Sequence, residues 1–97
     1  MANICRNEFY AYSKDKENLK VIEEFFDNWD AAEWTEDGGL DCYFDSKWAF
    51  PDKEMNKLHE SIPNKDDIFM RCLSVEYGCD VVQYHKDEGD GWYDALN

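Results

Sequence analysis

The chain reads as one α+β domain, with two helices on one face of an antiparallel sheet and an extra strand at the C-terminal end. Three observations predict this. Apolar and polar residues alternate in several short segments, and apolar residues recur at steps of three and four in two others. Sixteen per cent of the 97 residues are aromatic, enough to build a core. Turn-forming Gly and Pro residues separate these segments. Twenty-three Asp and Glu oppose ten Lys and Arg, for a formal charge of −13. An acidic chain poor in aromatics would remain unfolded, but six Phe, six Tyr and four Trp supply the missing apolar area. The expected object is a folded domain with a strongly negative surface. At this length roughly 60–70% of the unfolded chain's surface can be buried.

Residues 3–12 alternate as a strand, with Cys5, Phe9 and Ala11 on one face and Arg6, Glu8, Tyr10 and Tyr12 on the other. Ser13 and Asp15 are cap-type residues, and Leu19, Ile22, Phe25, Phe26 and Trp29 then trace the apolar stripe of a helix. The opposite side of that helix is mainly acidic and includes Glu23, Glu24 and Asp27. Residues 31–36 form a short strand around Trp34, and Asp37-Gly38-Gly39 supplies a hairpin turn. Residues 40–46 alternate strictly, placing Leu40, Cys42 and Phe44 inward and Asp41, Tyr43 and Asp45 outward.

Pro51 fits the first position of a second helix. Asp52 and Glu54 suit its positive N-terminal end, Met55, Leu58 and Ile62 form its apolar line, and Pro63 ends it. Residues 67–77 read as a longer strand whose register is left open by Ile68-Phe69-Met70. After Gly78, residues 80–85 return as a strand expected at a sheet edge. Asp87 to Gly91 then reads as a solvated acidic turn, and the tail from Trp92 packs through its aromatics. Strand, helix, strand, strand, helix, strand is the ferredoxin-like order, here spanning residues 1–97 as a single domain. No repeat, linker or low-complexity tract divides it.

Several function classes fall away on inspection. Cys5, Cys42, Cys72 and Cys79 form no C-x-x-C pair, so no metal is expected. Cys5, Cys42 and Cys72 read as small apolar core residues, while Cys79, in a turn, is the thiol to test for reactivity. His59 reads as a partly exposed helix residue, and a spatial Cys–His pair with His59 or His85 stays open. A phosphate-binding Gly loop, G-x-S-x-G, H-E-x-x-H and a complete EF-hand are all missing, so neither an enzyme nor a cofactor is expected. No apolar run approaches the roughly 20 residues of a membrane span, and the charge disfavours anionic lipid. Without an N-terminal apolar leader, a cytoplasmic setting with reduced thiols is expected.

A family resemblance rests on particular residues. The opening Met1-Ala2-Asn3-Ile4-Cys5-Arg6-Asn7 and Phe44-Asp45-Ser46-Lys47-Trp48-Ala49-Phe50-Pro51 before the second helix carry most of it. Ile62-Pro63, Val75-Glu76-Tyr77-Gly78 and Gly89-Asp90-Gly91 continue it over most of the chain. These segments resemble a phage and plasmid family of small ferredoxin-like proteins named after a protein of an aphid-endosymbiont bacteriophage. In longer relatives a Trp-rich insert precedes the strand at Phe44, and only residues 31–37 remain of it here. The resemblance implies a mobile-element origin and that fold, and implies no reaction.

Aromatic-bearing sheets of this kind can stack single-stranded RNA, and Tyr10, Tyr12 and Tyr43 would offer the rings. The charge repels phosphate, so nucleic acid is not an expected partner. Carboxylates two apart on a strand lie roughly 6–7 Å from each other and those four apart on a helix roughly 6 Å, a spacing that mimics a phosphate row. The expected partner is a host or phage protein with a basic surface, such as a CRISPR effector or nuclease. Glu23, Glu24, Asp27, Asp41, Tyr43 and Asp45 are the expected binding residues. Inhibition of host defence, with nucleic-acid mimicry as its form, is the leading functional expectation. A small regulatory or scaffold domain docking through a sheet edge or aromatic patch is the alternative. The chain itself is expected to be a monomer or homodimer.

Overall fold

Alternating segments become strands where neighbouring segments take up their backbone hydrogen bonds. The computed structural model describes residues 4–26, 32–47, 49–76, 78 and 81–96. Within them lie β1 (Ile4–Tyr12), β2 (Ala32–Trp34), β3 (Leu40–Lys47), β4 (Phe69–Glu76), β5 (Val81–Asp87) and β6 (Trp92–Asp94). Helix α1 (Lys16–Phe25) follows β1 and helix α2 (Asp52–Ser61) follows β3. The strands form one sheet in the order β2-β3-β1-β4-β5-β6, and every neighbouring pair is antiparallel. The protein is thus α+β, with two helices and a six-stranded antiparallel sheet.

The two helices form where a cap and an apolar stripe coincide. Asp15 caps α1 by accepting from the Glu17 amide at 3.0 Å, and Ser13 Oγ accepts from the Asp15 amide at 3.0 Å. The α1 stripe, Leu19 and Ile22 with Phe26 at its end, is buried against inward-facing Phe9, Leu40 and Phe44. Phe26 sits 4.8 Å from Phe9 and 5.4 Å from Phe44 between ring centres. From α2, Met55 and Leu58 enter the same core, as does Ile62 just beyond its end. Cys5, Cys42 and Cys72 are all buried, as the alternation predicts.

One buried polar residue locks this layer. Asn18, fully buried on α1, donates from Nδ2 to the carbonyls of Asn64 at 2.8 Å and Asp67 at 2.9 Å. Its Oδ1 accepts from the Asn64 amide at 2.9 Å. The connection from α2 to β4 is therefore tied to α1 through a side chain whose hydrogen-bonding groups are used, which is what makes its burial tolerable.

Three expectations need correction, and the open register of β4 is resolved. The strand after Gly78 is not an edge, because β6 pairs with it through His85–Asp94, Lys86–Tyr93 and Asp87–Trp92. The C-terminal addition is therefore two strands. The register of β4 places Met70, Cys72, Ser74 and Glu76 inward and Phe69, Arg71, Leu73 and Val75 outward. Pro51 caps α2 rather than occupying its first helical position, and Asp52 begins the helix. Asp87 is not part of a solvated turn. It is fully buried, and its Oδ1 accepts from the amides of Gly89 at 2.8 Å and Gly91 at 3.2 Å. Gly89 has φ +110°, and a Cβ there would meet the Lys65 carbonyl oxygen at 2.2 Å, so the turn requires glycine. Trp29, Trp48, Asp27 and Cys79 lie outside the described residues.

Candidate functional site

Both helices lie on one side of the sheet, leaving the other side without helical cover. Strand alternation and register decide which residues that open face presents. Across it run the rows Asp45–Arg6–Val75–Val82, Tyr43–Glu8–Leu73–Tyr84 and Asp41–Tyr10–Arg71–Lys86. Glu33 of β2 lies beside Asp41, Tyr93 of β6 beside Lys86, and Phe69 beside Tyr12. Seven large apolar side chains are exposed among the described residues, and five of them, Ile4, Tyr12, Tyr43, Val82 and Tyr93, lie on this face. Such clustering marks an interaction surface more than scattered exposure does.

Of the six residues expected to bind a partner, the five that are described fall on opposite sides of the sheet. Asp41, Tyr43 and Asp45 are on the open face, with Tyr43 55% exposed. Glu23 and Glu24 are on α1, and Glu23 accepts the Trp34 indole N–H at 2.7 Å on the helix side. Asp27 is outside the described residues. The six do not form one patch.

Charge separates in the same way. The strand positions of the open face carry four carboxylates, Glu8, Glu33, Asp41 and Asp45, and four cations, Arg6, Lys47, Arg71 and Lys86, and at its rim Asp37 and Glu88 accept from the hydroxyls of Tyr10 and Tyr93. The other described positions, rim included, carry sixteen carboxylates against six lysines. The strand positions of the open face are therefore electrically balanced, and the excess negative charge of the described residues lies at its rim and elsewhere. On the open face Arg6 pairs with Asp45 at 3.8 Å, both well exposed, so the pair contributes little to stability. Arg71 lies 5.0 Å from the Tyr10 ring centre and Lys86 5.6 Å from that of Tyr84. The Tyr10 hydroxyl donates to Asp37 at 2.6 Å. Burial, then this bond to a carboxylate, pushes the Tyr10 phenol up to about 12. The Asp37 carboxyl is held below its ordinary value, first by the Thr35 hydroxyl and then by that of Tyr10.

The helix-covered side holds the titratable groups that sequence reasoning missed. His59 on α2 and Asp87 at the end of β5 are joined by a 2.6 Å contact between Nδ1 and Oδ2. No local spacing foreshadows the pair, because the two residues meet only when α2 packs on β5. Trp92 closes the same corner by donating its indole N–H to the Met55 carbonyl at 2.9 Å. Further along, Asn7 is wholly buried between β3 and β4. Its Nδ2 donates to Ser46 Oγ at 2.9 Å and to the Phe44 carbonyl at 3.3 Å, while its Oδ1 accepts from Ser74 Oγ at 2.6 Å.

Each of the four serines gives its hydroxyl proton to a neighbour other than histidine: Ser13, Ser46 and Ser61 to backbone carbonyls, Ser74 to Asn7. Burial pushes the Cys42 thiol up to about 11 and the Cys72 thiol up to about 12, and it also raises that of Cys5. These three sulfurs are thiols rather than reactive thiolates at neutral pH. Glu76 Oε1 and His85 Nδ1 are buried without a hydrogen-bond partner. Glu76 lies opposite Val81, four residues from His85 along β5, or about 13 Å, so the two do not converge. Among the described residues no group of three His, Cys, Asp or Glu is placed to hold a metal ion, and no helix is long and apolar enough to cross a membrane.

The sheet edges offer little. Both edge strands, β2 and β6, are three residues long, and short edges discourage strand addition. The site with the strongest physical case is the open face, with the acidic helix side as a second, electrostatically distinct surface. Comparison with family models, curated proteins and solved structures finds no match to this chain.

Proposed function

We propose that this is a non-enzymatic binding protein of a phage or plasmid, acting in the host cytoplasm against a nucleic-acid-handling defence protein such as a CRISPR effector or nuclease. Its acidic helix side occupies the basic groove of that target in place of nucleic acid. The observation that carries this reading is the separation of charge. Outside the strand positions of the open face the surface is negative: α1 and α2 each carry three carboxylates against two lysines, and most of the remaining excess lies in the connecting loops, where the charges act together on a basic partner. Glu23 and Glu24 belong to that surface, whereas Asp41, Tyr43 and Asp45 do not.

The fold is read here as ferredoxin-like with a two-strand extension. In support, α1 connects β1 to β2 across β3, and α2 connects β3 to β4 across β1, giving two interlocked split units in the order β2-β3-β1-β4. The residue resemblance to the phage and plasmid family agrees with this order. The regulatory or scaffold reading keeps its aromatic-patch form, favoured by the exposed Tyr43, Val82 and Tyr93, and loses weight in its sheet-edge form.

Affinity capture from host lysate tests the proposal. The wild-type chain is expected to retain basic, nucleic-acid-binding proteins at about 50 mM salt and to release them by about 500 mM. The Glu17→Lys/Glu24→Lys variant should retain at least about tenfold less, Asp41→Asn/Asp45→Asn should behave as wild type, and duplex DNA should compete. Retention that ignores salt, DNA and the α1 substitutions would sink the idea.

A further inference from the structure

The open face has a charge pattern of its own. The sheet's midline runs between β1 and β4, with three strands on either side. The four carboxylates at strand positions of the face, Glu8, Glu33, Asp41 and Asp45, all lie on the β2-β3-β1 half. On the β4-β5-β6 half the charged groups among the described outward residues are Arg71 and Lys86, set among Leu73, Val75, Val82 and Tyr84. With Arg6 and Lys47 counted on the first half, the strand positions of the two halves carry −2 and +2, or −3 and +1 with the rim carboxylates Asp37 and Glu88 that Tyr10 and Tyr93 bond. A surface divided in this way is complementary to itself under a two-fold rotation.

We propose that the open face is the interface of a homodimer whose two-fold axis runs along the strands at the midline between β1 and β4. The rotation lays β3 of one copy over β5 of the other, and β1 over β4. The strand register then sets which residues meet: Asp41 faces the second copy's Lys86, Tyr43 its Tyr84, Tyr12 its Phe69, and Glu8 its Leu73. No like charges are brought opposite each other. An axis along β1 itself would instead stack Arg6 on Arg6 and Glu8 on Glu8, which favours the midline.

Two further facts single out a second copy as the occupant. Two chains of charge −13 repel strongly, and the open face is the side on which they approach without opposing their excess carboxylates. The exposed aromatic and aliphatic side chains concentrated there give the apolar contact that drives association, with the charges setting register. Sheets packed face to face in this aligned manner hold their strands within about 30° of each other, which preserves the pairing of halves. This inference does not depend on the anti-defence reading, since it uses the opposite side of the molecule.

A charge-swap experiment on the full chain tests it, with oligomeric state read by sedimentation equilibrium and folding checked by circular dichroism. The wild type is expected to dimerise at micromolar concentration, with association unchanged or strengthened by salt as the repulsion of the acidic bodies is screened. Asp41→Lys and Lys86→Glu should each weaken the dimer at least about tenfold, because each places two like-charge pairs in the interface. Mixing the two variants should restore a heterodimer, since both contacts then join opposite charges. Within one chain, Asp41 and Lys86 are separated by β1 and β4, so rescue by mixing has no intramolecular explanation. A wild-type chain that stays monomeric to submillimolar concentration overturns the proposal and leaves the face to a different partner. Variants that dimerise like wild type, or a mixture that stays monomeric, overturn it equally.

Discussion

The two sides of this sheet arise from the same alternation and have been put to different uses. In the buried layer under the helices most polar groups are bonded within the fold: Asn7 bridges three strands, Asn18 ties a loop to α1, and Asp87 holds both a turn and His59, with Glu76 Oε1 and His85 Nδ1 the exceptions among the described residues. On the open side, charged groups are many, paired loosely if at all, and mixed with exposed rings. Burial makes each missing partner expensive, whereas solvent makes each one nearly free. The contrast also shows why a net charge of −13 is a poor description of any one surface: five of the seven large apolar side chains exposed among the described residues lie on the open face, whose strand positions are balanced in charge.

If that contrast is right, substitutions on the covered side should cost stability and those on the open side should cost association. The largest effect is expected at Asp87. Asp87→Leu removes the acceptor for two glycine amides and strands the His59 ring, and should destabilise the fold by about 3–5 kcal/mol in urea unfolding. A loss below about 1 kcal/mol would mean that water already serves these donors.

Tyr10 gives a smaller effect that depends on pH. Its phenol is raised from an ordinary value of 10 to about 12. The folded state holds this proton more tightly than the unfolded one, so its contribution is fully present below pH 10 and is lost as pH climbs from about 10 to about 12. Tyr10→Phe should flatten that part of the stability profile and remove a tyrosinate absorbance step near pH 12. An unaltered alkaline profile would show that the Tyr10–Asp37 bond is not held in solution.

The smallest effect on folding should come from Tyr43. Tyr43→Ser, on a side chain 55% exposed, should change stability by less than about 0.5 kcal/mol while weakening self-association. A large stability loss there would blur the division between the two sides.

Much of this was legible without coordinates. Alternation placed Cys5, Phe9, Leu40, Cys42 and Phe44 inward and Asp41, Tyr43 and Asp45 outward, and the three-and-four spacing marked both helices. What escaped was decided by contacts between distant segments. The register of β4 was ambiguous until β1 paired with it, Asp87 resembled any acidic turn residue until α2 brought His59 against it, and β5 looked like an edge until β6 folded back. The candidate site suffered most, because Glu23 and Asp45 look equivalent in sequence although a sheet lies between them.

By itself, the order of amino acids determined the local periods, the caps and the facing of each strand residue, because these follow from backbone geometry that repeats every two or 3.6 residues. Which strand neighbours which was a tertiary decision, and with it the buried Asp87, the balanced strand positions of the open face and the split of their charges about a midline. Pairing between strands is non-local, so nothing within one segment encodes it.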